Sequence, residues 1–202
     1  MSEIRVILLG MKCSDISIVG NRILGRDAFE IDTPLSSVKQ QSERARGTVE
    51  GRYITLINTP HLFDTEVSQE ELTQRVKECV SLCAPGPHGI VLILQMDNFT
   101  ERDRNRVHAI LSTFSEEALN YTMVLTTLDM EPGTSVDPGG ESIVQEVIVE
   151  CRHRHLDLSR FSSAAFVELM EGIVKENGGS LTCEIYEEAT EPLDDEETED
   201  QE

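Results

Sequence analysis

The stretch that decides the fold is Ile4-Arg-Val-Ile-Leu-Leu-Gly-Met-Lys-Cys-Ser-Asp-Ile-Ser-Ile-Val-Gly-Asn-Arg-Ile-Leu-Gly25. Residues 4–9 form a short apolar run ended by Gly10, and such a run predicts a buried β-strand. Residues 17–24 carry apolar side chains at helical spacing, and Gly25 stands where a helix commonly ends in a glycine. A strand, a tight turn and a helix in this order are the setting of a phosphate-binding loop.

The spacing of Gly10 and Ser17 fits the phosphate-loop pattern of Gly, four residues, Gly, Lys, and Ser or Thr. Asp15 and Ile16 replace the inner glycine and lysine, so a negative charge stands where a phosphate ~4 Å away would be repelled by about 1–4 kcal/mol. By this pattern alone, an ordinary strand–turn–helix explains the stretch as well as a nucleotide site does. The candidate nucleotide-binding residues of the loop are Gly10, Met11, Lys12, Cys13, Ser14, Asp15, Ile16 and Ser17.

Segments with strand and helix character alternate along the rest of the chain. Strands are predicted over 53–59, 89–96, 121–127 and 155–158, and helices over 68–82, 100–114, 140–151 and 163–175. This alternation predicts an α/β fold with a mostly parallel central sheet and helices on both faces. Ligands in such sheets bind at the carboxyl ends of the strands, which here are Gly10, Asn58, Met96 and Thr127.

Charge and composition limit the classes of function. The net charge of −21 argues against nucleic acid and anionic membranes as partners. Eleven acidic and no basic residues lie in 184–202, and we predict a folded domain over 1–188 and an acidic disordered tail over 189–202. No run approaches 18 apolar residues, which predicts that there is no direct membrane anchor. Five scattered cysteines suit reduced thiols and predict a cytoplasmic protein.

The cysteines and the carboxylates allow two alternatives that involve a metal ion. Cys79 and Cys83 lie four residues apart on a predicted helix, with His88 beyond them, and this spacing allows a metal site. Reduced thiols explain these cysteines better. A metal-dependent hydrolase is disfavoured because the carboxylates are spread over helices and the tail without ligand spacing.

The segment Leu82-Cys-Ala-Pro-Gly-Pro-His-Gly89 runs into the apolar segment 91–95, and Asn177-Gly-Gly179 ends the last predicted helix. Together these motifs resemble the immunity-associated GTPase (GIMAP) family over residues 3–188, and the first of them is the most specific. The resemblance implies a three-layer P-loop GTPase-like domain that binds GTP or GDP with Mg²⁺ and hydrolyses GTP slowly. It also implies pairing with itself or with other GIMAP-type G domains.

The family's phosphate and magnesium residues are only partly present. By resemblance, Ser17 matches the serine that ligates Mg²⁺ and is the one metal ligand carried over. Lys39 stands at the position of a threonine that holds Mg²⁺ and the γ-phosphate. Asn58 replaces a carboxylate of the magnesium shell, and His61 replaces a glycine that faces the γ-phosphate.

The base-reading loop is altered as well. Asp129 and Glu131 are alternative candidates for the aspartate that reads guanine, and Ser159 stands where the family usually has asparagine. Losing two or three charge-assisted phosphate contacts of ~1.5–3 kcal/mol each weakens GTP binding by roughly 10³ or more. We therefore predict a pseudo-GTPase, with no catalytic residue assigned, that serves as a protein-interaction or regulatory module. The alternative is a functional GTP-binding switch in which Lys12 or Lys39 supplies the missing charge.

Overall fold

The computed structural model describes residues 3–30, 42–59, 62–63, 67–96, 99–127 and 138–183. Within them the strands are β1 (Ile4–Gly10), β2 (Glu43–Val49), β3 (Arg52–Asn58), β4 (Gly89–Gln95), β5 (Thr122–Thr127) and β6 (His155–Asp157). The helices are α1 (Cys13–Leu24), α2 (Gln69–Leu82), α3 (Glu101–Phe114), α4 (Pro138–Glu150) and α5 (Ser163–Asn177). Short 3₁₀ helices cover Ala118–Tyr121 and Leu158–Arg160.

These strands form one sheet in the order β2-β3-β1-β4-β5-β6. All neighbouring pairs are parallel except β2 with β3, which is antiparallel. In β1 the consecutive side chains of Val6, Ile7, Leu8 and Leu9 are all fully buried. Because successive side chains of a strand point to opposite faces, both faces of the sheet are covered, as the sequence predicts for an α/β fold.

The helix ends follow local sequence signals. Gly25 and Gly178 take the left-handed conformation, with φ of 68° and 74°, and end α1 and α5 where the sequence predicts. The hydroxyl of Ser68 accepts from the N–H of Glu71 at the start of α2. Thr100 begins α3 with a reciprocal capping box to Asp103. Among the described helices, none combines the length and the apolar character that a bilayer-spanning segment needs.

The strand β2 has no periodicity that marks it in the sequence. It is an edge strand whose side chains are alternately exposed and half-buried, as in Arg44 and Ala45. Gly47 faces α1, since a Cβ placed on it would lie 3.0 Å from Leu24 Cδ2. Because the residues on its other face are charged or polar, this strand contains no apolar run that would predict it from the sequence.

The segment from Cys83 to Gly89, on which the resemblance mainly rests, ties distant parts of the chain together. The N–H of Arg5 donates to Nδ1 of His88 at 2.9 Å, and the N–H of His88 donates to the Arg5 carbonyl at 2.7 Å. The Pro87 carbonyl accepts from the N–H of Leu181 at 2.7 Å. A Cβ on Gly86 would lie 2.1 Å from the Leu181 carbonyl oxygen, so only glycine permits this close approach.

We expect the stability of the domain to fall between pH 6.5 and about 4 because of His88. Burial lowers the pKa of His88 to about 4, with the Arg5 charge as a further cause. In the unfolded chain this histidine is protonated below about pH 6.5, whereas in the folded chain it stays neutral down to about pH 4. The unfolded state therefore binds more protons in this range, and the stability that is present above pH 6.5 is lost as the pH falls towards 4. Because His88 is half-exposed, the loss is about 1 kcal/mol.

Urea unfolding at pH 7 and pH 4.5 measures this loss. His88→Asn keeps an acceptor for the Arg5 N–H without a proton to bind, so its stability should change less between the two pH values than that of the unchanged chain. His153→Asn is the matched control, because His153 is exposed and its φ of 61° suits asparagine. An equal pH response in His88→Asn and the unchanged chain would contradict the assignment.

Candidate functional site

The carboxyl ends of four strands meet at one edge of the sheet. Asn58 ends β3 beside Leu8 of β1, Gly10 ends β1 beside Ile93 of β4, and Gln95 of β4 pairs with Thr127 at the end of β5. Helix α1 begins next to this edge, so its first turn closes the site that the phosphate-loop pattern predicts.

Helix α1 begins at Cys13, four residues before the start that the apolar spacing predicts. Only Met11 and Lys12, both exposed, lie between β1 and the helix. The N–H of Ile16 donates to the Lys12 carbonyl at 3.2 Å, as a helical residue does. The predicted loop over 10–17 is therefore a two-residue turn followed by a helical turn. The N–H at position 16 is bonded within the helix and is not available to a phosphate.

The side chain of Ile16 closes the site from inside. It is fully buried, and a Cβ placed on Gly10 would lie 2.8 Å from Ile16 Cγ1 and 3.4 Å from Ile93 Cβ. Ile16 thus packs against Gly10 at the end of β1. A phosphate bound against this apolar side chain would lose hydration without gaining a hydrogen bond or an opposite charge, which is unfavourable.

Asp15 is held by a residue that the sequence analysis did not name. The Nε2 amide of Gln95 donates to Oδ2 of Asp15 at 3.1 Å. Asp15 lies in the first turn of α1, where a negative charge is stabilised by the helix dipole. The carboxylate therefore occupies a position where helices bind external anions. The carboxyl-end rule is the signal for Gln95, because it is the last residue of β4.

The predicted magnesium ligand is paired with an amide. Ser17 is 3% exposed, and its Oγ accepts from Nδ2 of Asn58 at 3.4 Å. Asn58 Oδ1 is buried and has no hydrogen-bond partner within the described ranges. Magnesium is usually bound through one or two carboxylates together with substrate phosphates. A hydroxyl and a neutral amide do not fit this ion well.

The opposite part of the edge is engaged in internal hydrogen bonds. Thr126 Oγ1 bonds Nε2 of His155 at 2.8 Å. Asp157 Oδ1 accepts from the N–H and the hydroxyl of Ser159 at 2.9 and 2.7 Å. The Ser159 hydroxyl is the main cause that lowers the pKa of Asp157. Ser159, predicted in the last nucleotide loop, is thus bonded to its own neighbour.

The structure brings together Gly10, Asp15, Ile16, Ser17 and Asn58 among the predicted site residues, with Cys13 and Ser14 contributing the start of α1. Four further candidates, namely Lys39, His61, Asp129 and Glu131, lie outside the described residues, as does the predicted boundary at 188/189. Within the described ranges, no three His, Cys, Asp or Glu side chains form a set that could hold a metal ion.

The site does not fit a nucleotide triphosphate with Mg²⁺ in the way its motif suggests. The position of the phosphate-binding lysine is apolar and buried, and the helix N-terminus carries a carboxylate of its own. At the magnesium position the described residues supply the Ser17 hydroxyl, which accepts from the neutral Asn58 amide, where Mg²⁺ usually takes a carboxylate. We therefore assign no reaction step to a bound nucleotide.

Two solved structures have a similar fold. A chain in a structure of the chloroplast translocon components atToc33 and psToc159 matches with a TM-score of 0.62 at 16% identity, covering 86% of this chain and 83% of that chain. Toc33 from Arabidopsis thaliana in complex with Mg²⁺ and GMPPNP matches with a TM-score of 0.55 at 19% identity, covering 84% of this chain and 68% of that chain. These likenesses show a P-loop GTPase-like α/β fold.

Sequence relatives point to the same group of proteins. GTPase IMAP family member 8 from Homo sapiens is 28% identical over 148 residues, 73% of this chain and 21% of that protein. Immune-associated nucleotide-binding protein 3 from Arabidopsis thaliana is 30% identical over 124 residues, 60% of this chain and 37% of that protein. The chain thus spans well under half the length of these relatives. The model of the AIG1 family matches residues 4–201, and the chain belongs to this family of GIMAP-type G domains.

Proposed function

We propose that this chain is a GIMAP-type G domain with weak or absent GTP binding and hydrolysis, which acts as a protein-interaction or regulatory module. The start of α1 at Cys13 carries the proposal. It uses the N–H of Ile16 within the helix and places the Ile16 side chain, fully buried, against Gly10. A phosphate loop needs free backbone N–H groups and a lysine at these positions.

The affinity for GTP is expected to fall strongly, because every missing contact is one to the same bound nucleotide. The missing lysine and the missing magnesium carboxylate each remove a charge-assisted contact of ~1.5–3 kcal/mol. The Asp15 carboxylate adds repulsion of about 1 kcal/mol or more against a phosphate nearby. Together these effects weaken GTP binding by roughly 10³ relative to a site with all its contacts.

A second candidate function is a GTP-binding switch that uses Lys12 as a substitute cation. Lys12 is the N-cap of α1, and its side chain makes no cap hydrogen bond there. It is exposed at the turn where phosphates would arrive. The Lys12 side chain leaves the backbone before the helix begins, whereas residue 16 lies in the first turn. The Lys12 ammonium would therefore contact the phosphates from outside the helix.

Titration with a fluorescent GTP or GDP analogue, with and without Mg²⁺, separates the two functions. Under the preferred proposal, no saturable binding occurs up to high micromolar analogue, and Mg²⁺ does not strengthen what binding there is. If the triphosphate analogue binds at micromolar concentration or below and Mg²⁺ strengthens the binding, the pseudo-GTPase proposal is wrong and the GTP-binding switch is the supported function.

We infer further that the domain pairs with itself or with other GIMAP-type G domains in the cytoplasm. The family resemblance supports this pairing, and dimerisation is important for the GTPase activity of atToc33 and psToc159. The described cysteines Cys79, Cys83, Cys151 and Cys183 are free thiols, which suits a reducing compartment. Sedimentation of the purified chain over a range of concentrations tests self-pairing, and cell fractionation tests the location. The pairing would be contradicted by a chain that stays monomeric at all concentrations and does not bind other GIMAP-type G domains.

A further inference from the structure

One face of the β2–β3 hairpin carries exposed arginines and an exposed aromatic ring. Since Gly47 faces α1, Arg44, Arg46 and Thr48 point to the opposite face of β2. The antiparallel register places Tyr53 of β3 directly across from Thr48 on this same face. Tyr53 is 60% exposed, and the Arg46 side chain is 63% exposed. We call these four residues the arginine face.

The chain leaves the described structure beside this face. After α5, the N–H of Leu181 donates to the Pro87 carbonyl, and Cys183 is fully buried. This part of the chain lies near Cys83 at the end of α2, because Gly86, which the Leu181 carbonyl approaches closely, donates its N–H to the Cys83 carbonyl at 2.8 Å. The Leu82 carbonyl, one residue earlier, accepts from Nη1 of Arg44 at 3.4 Å. Cys183, after which residues 184–202 follow in the sequence, therefore lies on the same side of the fold as the Arg44 guanidinium.

Those residues have the opposite charge. Positions 184–202 hold eleven acidic residues and no lysine or arginine, and Ile185 and Tyr186 give them two apolar side chains near their start. A segment of 19 residues reaches up to about 60 Å when extended, far more than the breadth of a small sheet. Arg46 already pairs with Glu3 at 3.6 Å, but an exposed pair of this kind contributes little and leaves the arginine open to further carboxylates.

We propose that the acidic segment 184–202 docks within its own chain on the arginine face. Its carboxylates meet Arg44 and Arg46, and its apolar start covers the ring of Tyr53. The docked segment lies along β2, an edge strand of the sheet, and edge strands are where a sheet offers a template for pairing with another chain. The inference does not depend on whether the domain binds GTP.

The test uses the full chain with p-benzoylphenylalanine, a photo-crosslinking amino acid, in place of Tyr53. Illumination at low salt is expected to join this position to a peptide from 184–202. The screening length falls from about 8 Å at 0.15 M salt to about 3 Å at 1 M, and the crosslink yield should fall about fivefold between them. The same crosslinker at Val149 of α4, which is 57% exposed, is the matched control and should give no tail crosslink.

A pair of charge variants gives a second readout. Arg44→Gln with Arg46→Gln should lower the crosslink yield about as much as 1 M salt does, because it removes the same attraction. Arg102→Gln with Arg160→Gln removes two exposed arginines elsewhere and should leave the yield unchanged. The salt arm needs no variant, so the test stands even where the β2 variant folds poorly.

Three results would overturn the proposal. One is the absence of tail peptides at position 53, and another is an equal yield from position 149. The third is a crosslink that joins an isotopically heavy copy to a light one in a mixed sample, since that shows docking between chains rather than within one.

Discussion

Restoring two residues, Asp15→Gly with Ile16→Lys, is expected to raise the affinity for GTP with Mg²⁺ by about 10². The lysine regains a charge-assisted phosphate contact of ~1.5–3 kcal/mol, and loss of the Asp15 carboxylate removes about 1 kcal/mol of repulsion. The sum is about 3 kcal/mol, which corresponds to roughly a hundredfold in the dissociation constant. Titration with the fluorescent analogue measures it directly.

The same variant should become dependent on its ligand for stability. The Ile16 position is fully buried against Gly10, so an ammonium group placed there without a phosphate loses hydration and destabilises the fold. Glycine at position 15 also weakens the first turn of α1, because it removes a carboxylate that the helix dipole stabilises by about 0.3–1 kcal/mol, and this favours release of the N–H at position 16. We expect a lower Tm without nucleotide and a rise when GTP is added, worth about 2.7 kcal/mol at 100 times Kd.

Single substitutions show which part of the change matters. Ile16→Met keeps an apolar side chain without a charge and should leave nucleotide binding as weak as before. Asp15→Gly alone removes only the repulsion and should raise affinity several-fold. If the double variant binds no better than the unchanged chain and the unchanged chain already binds at micromolar levels, Lys12 or Lys39 supplies the charge and the switch function is correct.

The central sheet was predictable because its strands are buried on both faces. The apolar runs that become β1 and β4 are buried in the centre of the sheet, as their composition and length predict. The edge strand β2 and the first turn of α1 were not predictable in this way. Residues 43–49 expose every second side chain to solvent, and residues 13–16 hold a single apolar branched side chain, Ile16, which gives no period.

The site was predictable in location but not in contacts. The carboxyl-end rule correctly gathers Gly10, Asn58 and Thr127, because it depends only on parallel pairing. The bond from Gln95 to Asp15 joins residues 80 positions apart and depends on the register of β1 with β4 and on where α1 begins. Neither the register nor the helix start is encoded by a local pattern, so this contact is visible only in the folded chain.

Arg154→Ala is expected to destabilise the domain by about 3 kcal/mol, a large share of the 5–15 kcal/mol typical of a domain. Arg154 is 7% exposed, and its guanidinium joins three elements. Nε donates to the Thr122 carbonyl at 3.0 Å, Nη2 to the Leu119 carbonyl at 2.9 Å, and Nη1 to Glu176 at 3.4 Å. Alanine leaves the two carbonyls without this donor, and each lost buried partner costs about 1–3 kcal/mol. Urea unfolding at pH 7 measures the change.

Arg152→Ala is the matched control because it removes the same charge from the same partner. Arg152 also pairs with Glu176, but its side chain is 54% exposed, and an exposed pair contributes about 0–1 kcal/mol. Arg154→Lys should fall between the two, since a lysine keeps the charge but lacks the planar fork that serves both carbonyls. Equal losses for Arg152→Ala and Arg154→Ala would mean that attraction to Glu176, rather than the buried carbonyl bonds, is what Arg154 contributes. A much larger loss of stability in Arg154→Ala than in Arg152→Ala would mean that Arg154 stabilises the domain by joining the β5–β6 edge to the 3₁₀ turn before β5.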